Sequence, residues 1–332
     1  MKSILGIGNA LTDILVVLED ESLLRRFNLP RGSMQHVDSE IGDKIWQTLK
    51  PMGVQCVAGG SAANTITATA VLGMPSSFIG KVGNDELGSL FKSEQVRNGI
   101  KSNLLTGRAA SGRAMVFITA PNVERTFATY LGAAIELVPE DLNPEFFDGH
   151  TYFHIEGYLV QNQALVRRAL EIAKEKSMII SLDLASFNVV NSNDAFLHDI
   201  VDNYVDILFA SEQEAEAFTR SDPRKALDIM AKSCDIAVVK LGKEGSMVKQ
   251  GDQYHNIEAY PCDPTPIDAT GAGDIYAAGF LFAHSHGLAV KECGEIGSMI
   301  AAKVVEVIGP KIDIPRWKLA KDYIREHYGL LK

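Results

Sequence analysis

The sequence predicts a doubly wound α/β fold, a mainly parallel sheet with helices on both faces. Three observations lead there. Continuous apolar runs of buried-strand length recur at 178–184, 205–210 and 236–241. Between such runs lie helical patterns; in 164–176, Leu165, Val166, Ala169, Leu170 and Ala173 fall three and four apart and build one apolar face. The 332 residues, 46% hydrophobic and 22% charged, suffice for a large core covered on both sides of a sheet.

The elements follow in order. A short apolar run, 3–7, ends at Gly8 and opens the sheet. Two stretches break the strand and helix rhythm, 15–37 and 113–133, and read as short alternating strands. They predict a small sheet inserted over the strand ends as a lid; the alternative is an edge extension of the main sheet. Residues 61–72 read as a helix after a glycine turn. A turn at Gln250-Gly251-Asp252 joins 247–249 to 254–259 as a hairpin, and 272–283, 290–307 and 315–328 read as helices. No repeat or linker divides the chain, so residues 1–332 are expected to form a single domain, with the lid at about 15–37 and 113–133.

Charge excludes some partners. With 32 basic and 42 acidic residues the net charge is -10, and no basic run could track a nucleic-acid backbone. An anionic small molecule remains compatible, because a helix start binds anions through its amides. Cys56, Cys234, Cys262 and Cys293 are dispersed, without metal or disulfide spacing. That pattern, together with the absence of a signal-peptide block or a membrane-length apolar run, leads to the expectation of a cytoplasmic protein.

Two glycine turns carry the chemistry. In Asp268-Ala269-Thr270-Gly271-Ala272-Gly273-Asp274 the small residues open into a helix. Its first amides lack internal partners and face an anion at the positive end of the dipole. Asp274 reads there either as a dipole-complementing carboxylate or as a general base. In Gly59-Gly60-Ser61-Ala62-Ala63-Asn64, Ser61 reads as an N-cap, while Gly59, Gly60 and Asn64 could bind a polyol.

Asn9 and Asp13 follow a strand end, where ligands bind in open α/β sheets; turn capping is the alternative. Gly6-Ile7-Gly8-Asn9-Ala10-Leu11 is not a dinucleotide fingerprint, because Leu11 replaces the third glycine. A P-loop is excluded by the spacing from Gly73 to Gly80-Lys81 and by Val82 where Ser or Thr is needed. Ser211 to Glu214 reads locally as a capping box, and 240–245 as a hairpin turn.

Together, and in this order, these segments resemble the PfkB, or ribokinase-like, family of sugar and nucleoside kinases. Residues 59–73 with 79–88 are similar to its amino-terminal signature and 268–274 to its carboxyl-terminal one, within a similarity spanning roughly 3–312. The resemblance implies ATP-dependent phosphorylation of a primary hydroxyl, with Asp274 as base and Gly271, Ala272 and Gly273 as the anion hole. It implies acceptor contacts at Asn9, Asp13, Gly59, Gly60 and Asn64.

The family's Asn-x-x-Glu motif matches with Ser211 in place of Asn, which leaves Glu214 for magnesium, through water. The resemblance further implies Lys240, Gly242 and Gly245 beside ATP and Asp268 near a monovalent cation such as potassium. Residues 8–14, 124–133 and 156–159 look most like the adenosine-kinase-like branch, with Arg125 as a phosphate contact and Phe127 or Tyr158 as a stacking ring or as packing. The expected acceptor is adenosine at its 5'-hydroxyl, or alternatively ribose, fructose or a related sugar. A catalytically silent sugar- or nucleotide-binding regulator is the rival class. The expected assembly is a monomer or a lid-mediated homodimer, without nucleic acid or membrane partners.

Overall fold

Strands apolar on both sides need cover on both faces, and the central strands are of that type: no residue of Ile4–Ile7 or Tyr152–Glu156 is exposed. The structure is a computed structural model and describes residues 2–119, 124–262 and 266–331. Among them, nine strands form one sheet. Its order is Gln253–Ile257, Ser246–Gln250, Ile236–Lys240, Ile207–Ser211, Ile179–Asp183, Tyr152–Glu156, Ile4–Ile7, Ser76–Val82, Lys101–Thr106.

Pairing is parallel from Lys101–Thr106 across to Ile236–Lys240, and antiparallel for the final hairpin. The chain starts mid-sheet at Ile4–Ile7, runs outward through Ser76–Val82 and Lys101–Thr106, then returns to the other flank at Tyr152–Glu156. This reversal beside Ile4–Ile7 is a topological switch point, and it opens a crevice at the carboxyl ends of the strands.

Alternate residues of each strand feed two cores. Leu5, Ile7, Phe153, Leu182 and Leu208 pack with the Gln163–Glu175 and Asp194–Tyr204 helices. Ile4, Phe78, Phe209 and Val238 pack with the Ser61–Val71, Ala272–Ser285 and Val290–Val304 helices. Small residues let the last two helices approach closely: a Cβ on Gly279 would lie 3.0 Å from Gly297 Cα.

A second sheet is separate from the first and not an extension of its edge. Its five described strands run Met34–His36, Glu124–Tyr130, Gly112–Thr119, Leu11–Leu18, Gln55–Gly59. Ile14, Val16, Leu18, Met115, Phe117 and Ala128 face Ile45, Trp46 and Leu49 of the Ser39–Leu49 helix, while Leu15, Val116 and Ile118 form the opposite face.

Two details differ from the pattern-based expectation. Within 15–37 a helix, Ser22–Arg26, interrupts the strands. Gln55–Gly59, where the sequence pattern predicts no strand, is itself a strand of this sheet, because Leu11 to Leu15 supply an antiparallel partner the local pattern cannot reveal. Within the expected segment 113–133, residues 120–123 lie outside the described residues.

Candidate active site

At the switch point the first strand ends at Ile7 and its flanking neighbour at Glu156. Glu156, 1% exposed, accepts from the Asn9 amide at 2.9 Å, Asn9 Nδ2 at 2.8 Å and Ala62 N at 2.8 Å. One carboxylate thus fixes the turn after the first strand and the first turn of the Ser61–Val71 helix. Burial raises its carboxyl to about 7 against those three donors.

Gly60 caps that helix at φ +97, and a Cβ there would collide with the Asn9 carbonyl oxygen. Gly60→Ala should therefore cost roughly 2–4 kcal/mol, through a barred backbone conformation and a clash with main chain, as measured by denaturant unfolding. An unchanged midpoint would refute this. Ser61 is not the cap: its hydroxyl donates to Asp274 Oδ1 at 2.7 Å, across 213 residues of sequence. Asn64 Nδ2 donates to Asp274 Oδ2 at 3.0 Å, and Thr65 Oγ1 to the Asp274 carbonyl at 3.1 Å. Burial lifts the Asp274 carboxyl to about 6, with these bonds opposing.

Gly271 is the N-cap of the Ala272–Ser285 helix at φ +75. A side chain there would also meet Pro310, 2.7 Å away. The Ala272 amide turns back to Ala269 O at 3.1 Å, so of the expected anion hole it is the amide already engaged. The Gly273 and Asp274 amides have no acceptor among the described residues. Lys240 Nζ would lie 3.0 Å from a Cβ on Gly273 and pairs with Asp183 Oδ2 at 2.5 Å. Its own burial lowers the Lys240 pKa, but Asp183, Glu214 and Asp274 prevail and raise it, so a stable cation stands over the turn.

Asp13, on the second sheet, is 8% exposed. Its carboxylate occupies the space a Gly59 Cβ would need. Burial raises it to about 7, with Lys311 opposing and Asp274 and Glu94 reinforcing. A cleft of about 1110 Å³ gathers Asn9, Asp13, Gly60, Asn64 and Asp274 at one end and Ser211, Glu214, Lys240, Gly242 and Gly245 at the other. Gly59, the remaining residue expected on the acceptor side, does not line the cleft; it leaves the room that the Asp13 carboxylate occupies.

The Ser211–Glu214 capping box is present: Glu214 Oε2 accepts from Ser211 N at 2.7 Å, and Ser211 Oγ accepts from Glu214 N at 3.4 Å. Burial, then Asp183, raises the Glu214 carboxyl. Glu214 and Asp183 supply hard oxygen donors on the cleft wall, which fits a magnesium that keeps most of its waters and needs one or two carboxylates beside phosphate oxygens. Among the described residues there is no cluster of three or more metal-ligating side chains.

Asp268 does not fit a monovalent cation in this arrangement. Its oxygens accept from Thr270 N at 2.7 Å and Gly309 N at 2.6 Å, and Arg125 from the second sheet pairs with it. Arg125 Nη1 also donates to Thr270 Oγ1 at 2.7 Å. The position expected to serve potassium faces a guanidinium; Arg125, expected as a phosphate contact, joins this turn through Nη1, while its Nε and Nη2 have no hydrogen-bond partner among the described residues.

Residues 41–317 match the profile of the pfkB family carbohydrate kinases. The chain belongs to that family. It is therefore an ATP-dependent kinase built on a ribokinase-like fold. The crystal structure of adenosine kinase from Sinorhizobium meliloti is 32% identical, covers 97% of this chain and 99% of its own, and superposes with a TM-score of 0.87. An adenosine kinase of Schizophyllum commune is 27% identical over 93% of this chain and 96% of its own. A 5-dehydro-2-deoxygluconokinase of Clostridium beijerinckii is also 27% identical, over 81% and 84%. No helix among the described residues is long and apolar enough to cross a membrane.

Sequence reasoning gave no role to two carboxyl groups of this pfkB-family site. Glu156 and Asp183 each close a parallel strand at its carboxyl end, a position that could have flagged both.

Proposed function

We propose that the protein transfers the terminal phosphoryl group of ATP to the 5'-hydroxyl of a nucleoside, adenosine first. The observation that carries this reading is Asp274, held by Ser61 and Asn64 at a helix start whose next free amides face the same cleft. Asp274 takes the hydroxyl proton; the oxygen then bonds to the terminal phosphorus as the bridging bond to ADP breaks. The Gly273 and Asp274 amides and Lys240 stabilise charge on the migrating phosphoryl oxygens. Magnesium, held through water by Glu214, would neutralise the phosphates.

On the acceptor side, Asp13 accepts from the two ribose hydroxyls. The buried Asn64 Oδ1, which has no partner among the described residues, accepts a third hydrogen bond. Met34, Ala114, Phe127 and Leu131 add an apolar wall from the second sheet, suited to a planar base that a free sugar lacks. In this reading the second sheet is the lid.

An acceptor panel with ATP, magnesium and potassium, read by ADP release, tests the proposal. Adenosine should lead by at least tenfold in kcat/KM; a lead for ribose or fructose would transfer the assignment to a sugar. The pH profile is a second check. Asp13 and Asp274 act as carboxylates with pKa raised to about 7 and about 6. The kcat/KM should thus fall as pH drops through 7, and more steeply below 6 as the second group protonates. A flat profile from pH 8 to 5.5 would contradict both roles.

A further inference from the structure

We propose that Asp183 is a positioning residue for phosphoryl transfer: its ion pair lays the Lys240 side chain across the glycine turn at 271–273 and fixes the ammonium there as a donor of the anion hole. The inference rests on the reading in which Lys240 stabilises the migrating phosphoryl oxygens.

Three neighbouring parallel strands end side by side at the cleft, in Asp183, Ser211 and Lys240. Asp183 and Lys240 stand on the outer two, about 10 Å apart at ordinary strand spacing. The two side chains close that gap together, past the end of the middle strand, where Lys240 Nζ meets Asp183 Oδ2 at 2.5 Å. On its way the lysine runs beside Gly273: a Cβ there would lie 3.0 Å from Nζ, 3.7 Å from Cε and 3.9 Å from Cδ. The second glycine of the turn thus leaves room for the lysine, and the ammonium stands beside a residue whose own amide is free.

The Lys240 side chain makes no other ion pair or hydrogen bond among the described residues, so Asp183 alone decides where it lies. Asp183 is itself fixed. Its Oδ1 accepts from Ala185 N at 3.0 Å; Ala185 takes φ +66, and its carbonyl oxygen accepts from the Tyr158 hydroxyl at 3.2 Å. Buried and engaged at both oxygens, the carboxylate is held facing the lysine. Glu214 differs: its Oε2 accepts from Ser211 N, while Oε1 has no hydrogen-bond partner among the described residues and stays open to a magnesium-bound water.

The exchange of one atom breaks the device. In Asp183→Asn the amide oxygen can keep the Ala185 bond, but its NH2 then faces the ammonium, donor against donor, and the lysine is released.

The test uses two readouts. The first is steady-state kinetics of wild type, Asp183→Asn, Lys240→Met and the double variant. Lys240→Met should lower kcat about a hundredfold, as removal of an oxyanion donor does, and Asp183→Asn about tenfold, both with adenosine KM within about twofold of wild type. The double variant should match Lys240→Met, because Asp183 then has nothing to position. The second readout needs no turnover: acetylation of Lys240 by an N-hydroxysuccinimide ester in the protein alone, read by peptide mass spectrometry against the exposed Lys243. Freed from its pair, Lys240 should react about fivefold faster in Asp183→Asn, since the unpaired amine gives up its proton more readily.

Wild-type kcat in folded Asp183→Asn, an unchanged acetylation ratio, or a double variant about tenfold below Lys240→Met overturns the proposal; the last result would give Asp183 a role independent of the lysine. Asp183→Ala replaces the asparagine variant should that one not fold. If wild type phosphorylates no nucleoside, the functional reading falls, whereas the acetylation ratio still decides whether Asp183 holds Lys240.

Discussion

Replacing Asp274 by Asn should lower kcat by about two to four orders of magnitude, the contribution of a positioned general base, and leave acceptor binding within about threefold. The separation follows from the surroundings. The carboxylate accepts from Ser61 Oγ and Asn64 Nδ2, and an amide can keep both bonds if its oxygen still accepts from Asn64 Nδ2 and its NH2 donates to the Ser61 hydroxyl oxygen. The site therefore keeps its shape and loses only the proton acceptor. Single-turnover rates and calorimetric titration with adenosine would measure the two quantities separately. Normal turnover in Asp274→Asn would remove the assigned base, and with it the proposed chemistry.

Asp13→Ala should act on the other parameter. Hydrogen bonds to a charged group contribute about 1.5–3 kcal/mol each, so losing two to the acceptor diol should raise its KM by about a hundredfold or more while kcat falls far less. Asp13→Asn keeps one acceptor oxygen and no ionisation. Its kcat/KM should lose the limb near pH 7 and retain only the one near 6, because Asp274 is then the remaining titrating group. Gly59→Ala should mimic the alanine variant in part, since its methyl would take the place of the Asp13 carboxylate. A KM within threefold of wild type in Asp13→Ala would show that the acceptor binds elsewhere.

Much of this was legible in the chain because the signals are local. Continuous apolar runs gave the buried strands, and the glycine turn before Asp274 gave a helix start able to bind an anion. The partners of Asp274 were not legible: Ser61 looks like a cap, and only folding brings it across 213 residues to the carboxylate. The same holds for Gln55–Gly59, whose strand character depends on the pairing with Leu11 to Leu15. Asp268 shows what a motif match leaves open. The aspartate occupies the matching position, but its partners Arg125 and Gly309 lie far from it in sequence and come to it only on folding.

The pairing of Arg125 with Asp268 and Thr270 has a mechanical consequence. Arg125 sits on a strand of the small sheet, and its two partners belong to the turn that leads into the catalytic helix. On the proposed reading of that sheet as a lid, any swing away from the core must first pull the arginine off the turn, which would gear admission of a substrate and the readiness of the transfer apparatus to a single movement. Loosening the tether would let the entrance open without disarming what lies beneath it.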